Sequence, residues 1–173
     1  MYQNHTEVIM TKKVLNALCV FFVFLIVLCG CDSPNGKGVI TEFSADFIAS
    51  YRDLELNGKV TADRRGLLNI EFDSPETLNG LAVSYKNGET ALKRDDLICT
   101  ADEAYLPGNS FPALLKSALK ALGDSDAKPK SGSLAIENGG KTFEYIIDEN
   151  GQIKKLTANG ELEIEFDNIE KSG

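Results

Sequence analysis

Phe43-Ser44-Ala45-Asp46-Phe47-Ile48-Ala49-Ser50-Tyr51 decides the fold. Phe43, Ala45, Phe47, Ala49 and Tyr51 recur at every second position, with Ser44, Asp46 and Ser50 between them. Side chains on a strand point alternately to its two faces, so this spacing predicts a strand with one apolar face. Working outward, the period of two continues through Leu54, Leu56, Gly58 and Val60, and returns at Leu68, Ile70 and Phe72 and at Leu81, Val83 and Tyr85. Further along it marks Leu134 and Ile136, then Phe143, Tyr145 and Ile147, then Leu162, Ile164 and Phe166.

Asn-Gly pairs stand between these runs at 79–80, 87–88, 138–139, 150–151 and 159–160. Asn-Gly accepts the positive φ angles of tight hairpin turns, so neighbouring strands are expected to be antiparallel. Asn57-Gly58 differs because the alternation runs through it; Gly58 reads as a bulge or bend within a strand, with a hairpin there as the alternative. One segment keeps the helical period. Phe111, Leu114, Leu115, Ala118, Leu119 and Leu122 share one face, Ser110 stands at the N-cap position and Gly123 at the end. The polar stretch 123–132 that follows reads as a surface loop. The expected fold is α+β and mainly β: a curved antiparallel sheet of about eight or nine strands with an amphipathic helix against its apolar face.

The 173 residues are 43% hydrophobic and 25% charged, which suits one globular domain. The net charge of −8 speaks against a nucleic-acid surface. The N-terminus is of another kind. Lys12 and Lys13 precede an apolar run from Val14 to Leu28, the layout of an export signal. Leu28-Cys29-Gly30-Cys31 then resembles the lipobox of bacterial lipoproteins, with small Gly30 before Cys31, the residue that would carry the lipid. The divisions that follow are a signal peptide at 1–30, a lipidated cysteine and turn-rich linker at 31–38, and a β domain at 39–173. An uncleaved membrane helix is the alternative reading of the apolar run. Either way the positive-inside rule puts residues 32–173 on the extracytoplasmic side of the cell membrane. Met10 is an alternative start, since Glu7 and no basic residue precede it.

The sequence contains one histidine, His5, which a cleaved signal would remove. Mechanisms that depend on histidine, and the common zinc sites, then have no residue to use. Asp95-Asp96, Asp102-Glu103 and Asp124-Ser125-Asp126 read as solvated surface rather than as acid-base pairs. Asp148-Glu149-Asn150-Gly151 reads as a hairpin turn, because Thr157 stands where a calcium loop needs glutamate. Cys99 has no CxxC partner and reads as a small buried hydrophobe. No catalytic residue, metal ligand or cofactor is expected, and the chain reads as non-enzymatic. A hydrolase working with Asp and Glu alone is the distant alternative.

Three places resemble the LolA/LolB lipoprotein-carrier superfamily, and especially its short Gram-positive lipoproteins. They are the paired strands 43–51 and 54–62, the strand-to-proline turn Gly66-Leu67-Leu68-Asn69-Ile70-Glu71-Phe72-Asp73-Ser74-Pro75, and Leu106-Pro107-Gly108-Asn109-Ser110-Phe111 at the start of the helix. Leu68-Asn69-Ile70-Glu71-Phe72 replaces the Arg-rich, Trp-containing strand of the proteobacterial carrier. The resemblance implies a half-open β-barrel, LolA-like, whose apolar face takes an acyl chain or a lipidated partner.

The helix face is balanced between ordinary core and ligand lining. As ligand lining it would use Leu115 and Leu119, opposite Leu68, Ile70, Phe72, Val83, Phe143 and Tyr145. The expected function is a lipoprotein anchored to the membrane by acyl groups, palmitate among them, on Cys31 and binding lipid outside the cytoplasm. The alternative is a protein-interaction module with a filled core that regulates a cell-envelope or spore cortex enzyme.

Overall fold

The computed structural model describes residues 39–63, 67–125 and 132–171. The signal, Cys31 and the linker lie outside these residues, as do Gly66 and positions 126–131 of the polar loop.

Ten strands alternate with short turns: β1 (Phe43–Tyr51), β2 (Leu54–Ala62), β3 (Leu68–Ser74), β4 (Leu81–Lys86), β5 (Glu89–Arg94), β6 (Leu97–Asp102), β7 (Ser133–Asn138), β8 (Lys141–Ile147), β9 (Ile153–Ala158) and β10 (Leu162–Lys171). A 3₁₀ turn (Glu103–Tyr105) and the helix α1 (Phe111–Gly123) separate β6 from β7. All pairings are antiparallel, in the order β6-β5-β4-β3-β2-β1-β10-β9-β8-β7. Two meanders are therefore joined where β1 meets β10, and β6 and β7 form the two edges of an open sheet.

The sheet has ten strands rather than the eight or nine expected. β5 and β6 carry little apolar alternation, because β6 is exposed along its whole length and needs no apolar side. In β9 a register shift opposite Ile146 and Ile147 breaks the period, so Ile153, Leu156 and Ala158 are buried without strict alternation.

Elsewhere the period of two becomes burial. Phe43, Ala45, Phe47 and Ala49 of β1 face the core with Leu56, Val60 and Ala62 of β2 and Leu162, Ile164 and Phe166 of β10. Gly58 sits at a register shift between β2 and β3 and continues the buried face, which is the bulge reading. Asn87-Gly88 and Asn159-Gly160 adopt the paired positive φ values expected of tight turns. At the β7–β8 hairpin the two turn residues are instead Gly139 and Gly140.

The helix lies on the apolar face. Phe111, Leu114, Leu115, Ala118, Ala121 and Leu122 are buried, whereas Leu119 is half-buried at the side of the contact. Phe111 packs against Phe47, Phe72 and Tyr51, with ring centroids 5.6–6.1 Å apart. Tyr145 donates a 2.7 Å hydrogen bond from β8 to the carbonyl of Ala118, tying sheet to helix inside the core. Ser110 occupies the N-cap position but makes no capping bond, and its Oγ is buried without a partner among the described residues.

Candidate functional site

Two clefts open side by side where the helix meets the ends of the strands. The first, about 780 Å³, lies between the C-terminal half of α1 and the β2–β3 and β4–β5 connections. Ala62, Leu67, Leu68 and Leu119 give it an apolar floor, and Lys86, Lys116 and Lys120 stand on its rim with Glu42, Asp63 and Asp124. Lys120 is paired with Asp124, four residues along the helix, and Lys116 with Glu103. Lys86 has no ion-pair partner among the described residues, so it is the cation available to an incoming anion.

The second cleft, about 550 Å³, lies across the Lys116–Glu103 pair and is more polar. Tyr85, Asp102, Glu103, Ser117 and Lys141 contribute to its lining with Leu106 and Ala113. The Lys116 ammonium lies 4.8 Å from the centroid of the Tyr85 ring. Burial and the neighbouring Glu103 carboxylate push the Tyr85 phenol up to about 12, so it stays protonated at physiological pH. Both volumes fall within the roughly 300–1,000 Å³ range of ligand pockets.

Only Leu68 and Leu119 of the expected ligand-lining residues reach the first cleft. Ile70, Phe72, Val83, Leu115, Phe143 and Tyr145 are buried together in the core, where Ile70, Leu115 and Phe143 are inaccessible to solvent. Side chains with no accessible surface have neighbours on every side, so these residues fill the space beneath the helix. Sequence reasoning missed Tyr85 as a site residue, because a tyrosine on the apolar side of a strand reads as core. Lys86, Lys116 and Lys120 were equally silent: their proximity in space depends on a turn and a helix coming together.

Cys99 corrects an expectation. It is a free thiol and exposed, because β6 is an edge strand lying beyond the cover of the helix. Its neighbours Leu97 and Ile98 are 78% and 66% exposed, and Tyr105 just beyond is also exposed. The acidic pairs are surface features with structural work. Asp95 and Asp96 form the β5–β6 turn, and Asp102 accepts a 2.8 Å bond from the amide of Ala104. Asp148 accepts from the amides of Asn150 and Gln152, which shapes the β8–β9 turn and lowers its carboxyl below the usual range. Among the described residues no cluster of His, Cys, Asp and Glu has the arrangement of a metal site, and no helix is long and apolar enough to cross a membrane.

No protein-family model and no curated protein matches the sequence. Among solved structures, the chain is similar to an uncharacterized conserved protein from Thermus thermophilus, at 11% identity and a TM-score of 0.49, over 79% of this chain and 82% of that one. It is also similar to PNGF-II, at 10% identity and a TM-score of 0.37. That match covers 76% of this chain and only 28% of the PNGF-II chain.

Proposed function

We propose that this protein is a non-enzymatic, extracytoplasmic lipoprotein, anchored through Cys31, that binds one acyl chain of a lipid or lipidated partner in the cleft beside α1. On this reading the sheet is a LolA-like half-open barrel whose interior is filled and whose ligand lies at its end. The observation that carries the proposal is the apolar lining of Ala62, Leu67, Leu68 and Leu119 in the same cleft as Lys86, which has no ion-pair partner among the described residues. Each methylene of a chain laid on such a floor gains about 0.8 kcal/mol. Lys86 is placed to meet a carboxylate or phosphate head.

Titration with a fluorescent fatty acid tests the binding step. Leu119→Glu places a charge on the floor at a half-buried position and should abolish binding with the fold retained, while Lys86→Glu should weaken it. Equal binding by both folded variants removes the cleft as the acyl site. The anchor is tested separately by labelling cells with radioactive palmitate: label should enter the protein and be lost in Cys31→Ser.

A second reading has its own observation. The edge strand β6 presents unpaired backbone together with exposed Leu97 and Ile98, the arrangement by which an extended segment of a partner adds to a sheet. A regulator of a cell-envelope enzyme would use that edge. Crosslinking in membranes that yields a hetero-complex sensitive to Ile98→Lys favours this reading, and a monomer under the same treatment counts against it.

A further inference from the structure

We infer that the polar cleft at Tyr85 is a binding site for a neutral, hydroxyl-rich ligand, a mono- or disaccharide unit. Tyr85 is 1% exposed and lines this cleft, yet among the described residues its phenolic oxygen has no hydrogen-bond partner. Thr90, its partner across the β4–β5 ladder, is outside the lining but is also 2% exposed with a hydroxyl unpartnered among the described residues. A buried hydroxyl left unbonded has lost its water and gained nothing in return, so the Tyr85 oxygen of the cleft lining indicates that something else supplies its partner.

The lining says what kind of group that is. Asp102 accepts from the Ala104 amide with one carboxylate oxygen and Glu103 pairs with Lys116 through one of its own, and a carboxylate with two oxygens can accept further bonds. Lys141 gives one proton to the carbonyl of Gly108 and keeps the remainder for a ligand. The cleft therefore presents acceptors and donors of both charges within 550 Å³. An anion would meet Asp102 and Glu103, and a cation would meet Lys141. A sugar hydroxyl donates and accepts at once, so it satisfies the carboxylates, the ammonium and the protonated phenol without leaving a net charge. Leu106, Ala104 and Ala113 supply an apolar stretch for the C–H face of a sugar ring. These residues are not the acyl floor, so this inference and the acyl proposal stand or fall separately.

The test is calorimetric titration of the full chain, in a detergent without a sugar headgroup, with glucose, N-acetylglucosamine and chitobiose at millimolar concentration. At least one should bind saturably, one per chain, and perturb the amide resonances of Gly88, Gly108 and Ser117. Tyr85→Phe deletes only the orphaned oxygen and keeps the packing; it should weaken that sugar about tenfold, the value of one hydrogen bond in a site. Leu119→Glu should leave sugar affinity unchanged. The inference is overturned if none of the three sugars binds, if Tyr85→Phe binds as tightly as the parent, or if buried water alone satisfies the Tyr85 hydroxyl in a high-resolution structure. It is equally overturned if decanoate binds and Tyr85→Phe abolishes it, which would make the cleft a headgroup pocket.

Discussion

At the scale of single residues, Gly58 and Tyr85 show how much a position on a strand can hide. Gly58 is on the buried face of β2, and a Cβ placed there would lie 1.9 Å from the carbonyl oxygen of Glu71 on β3. Backbone occupies that space and cannot rotate away. Gly58→Ala should therefore open the β2–β3 pairing and destabilise the domain by about 1–3 kcal/mol or more, read as a lower urea midpoint. Tyr85 behaves differently, because its oxygen is buried without reward. Its pKa is raised from 10 to about 12 in the folded protein. Through this group no stability is lost below pH 10, and stability falls as pH climbs from 10 towards 12, where the unfolded chain releases a proton that the native chain keeps. Denaturant titrations across that interval should show a shallower decline for Tyr85→Phe than for the parent. An identical slope would mean that the phenol is solvated in the native state.

At the scale of elements, α1 is held to the sheet by packing and by one buried hydrogen bond, from Tyr145 to the carbonyl of Ala118. Tyr145→Phe keeps the ring and removes the donor. It should cost about 1 kcal/mol in chemical denaturation and leave strand content unchanged by circular dichroism. The helix itself was legible in the sequence because its apolar face obeys one period: five of the six residues on that face are fully buried, and Leu119 departs only by opening onto the cleft. The strands with one wet and one dry face were legible for the same reason. β5 and β6 were not, since a strand that no element covers leaves no mark of period two, and Cys99 was misplaced with them. The clefts were the least legible feature. They bring together Leu68, Lys86, Lys116 and Leu119, and Tyr85, Glu103 and Lys141, from separate strands, a turn and the helix. No spacing along the chain encodes that meeting.

At the scale of the whole molecule, the two meanders depend on one seam. β1 pairs with β2 along one edge and with β10 along the other, in a register that sets Phe47 against Phe166 and Tyr51 against Leu162. The sequence distance across this seam is more than a hundred residues, so its loop must close before the pairing stabilises anything, and folding should be slow for a domain of this size. The seam also buries Leu162, Ile164 and Phe166, and Phe166 meets Phe43 edge to face at 5.7 Å. Ending the chain at Glu161 would remove these side chains, uncover Phe43 and Phe47 on β1, and leave β7–β9 attached to the rest only through the helix and loops. Phe166→Ala poses the same question more gently. It leaves the backbone ladder in place, creates a cavity against Phe43, and should cost about 3–5 kcal/mol. The truncated chain should be insoluble or bind a hydrophobic dye, and Phe166→Ala should be folded with a sharply lowered thermal midpoint. A truncated chain that unfolds cooperatively would mean that β1–β6 and the helix form a core without the second meander, and that the seam joins two independent units.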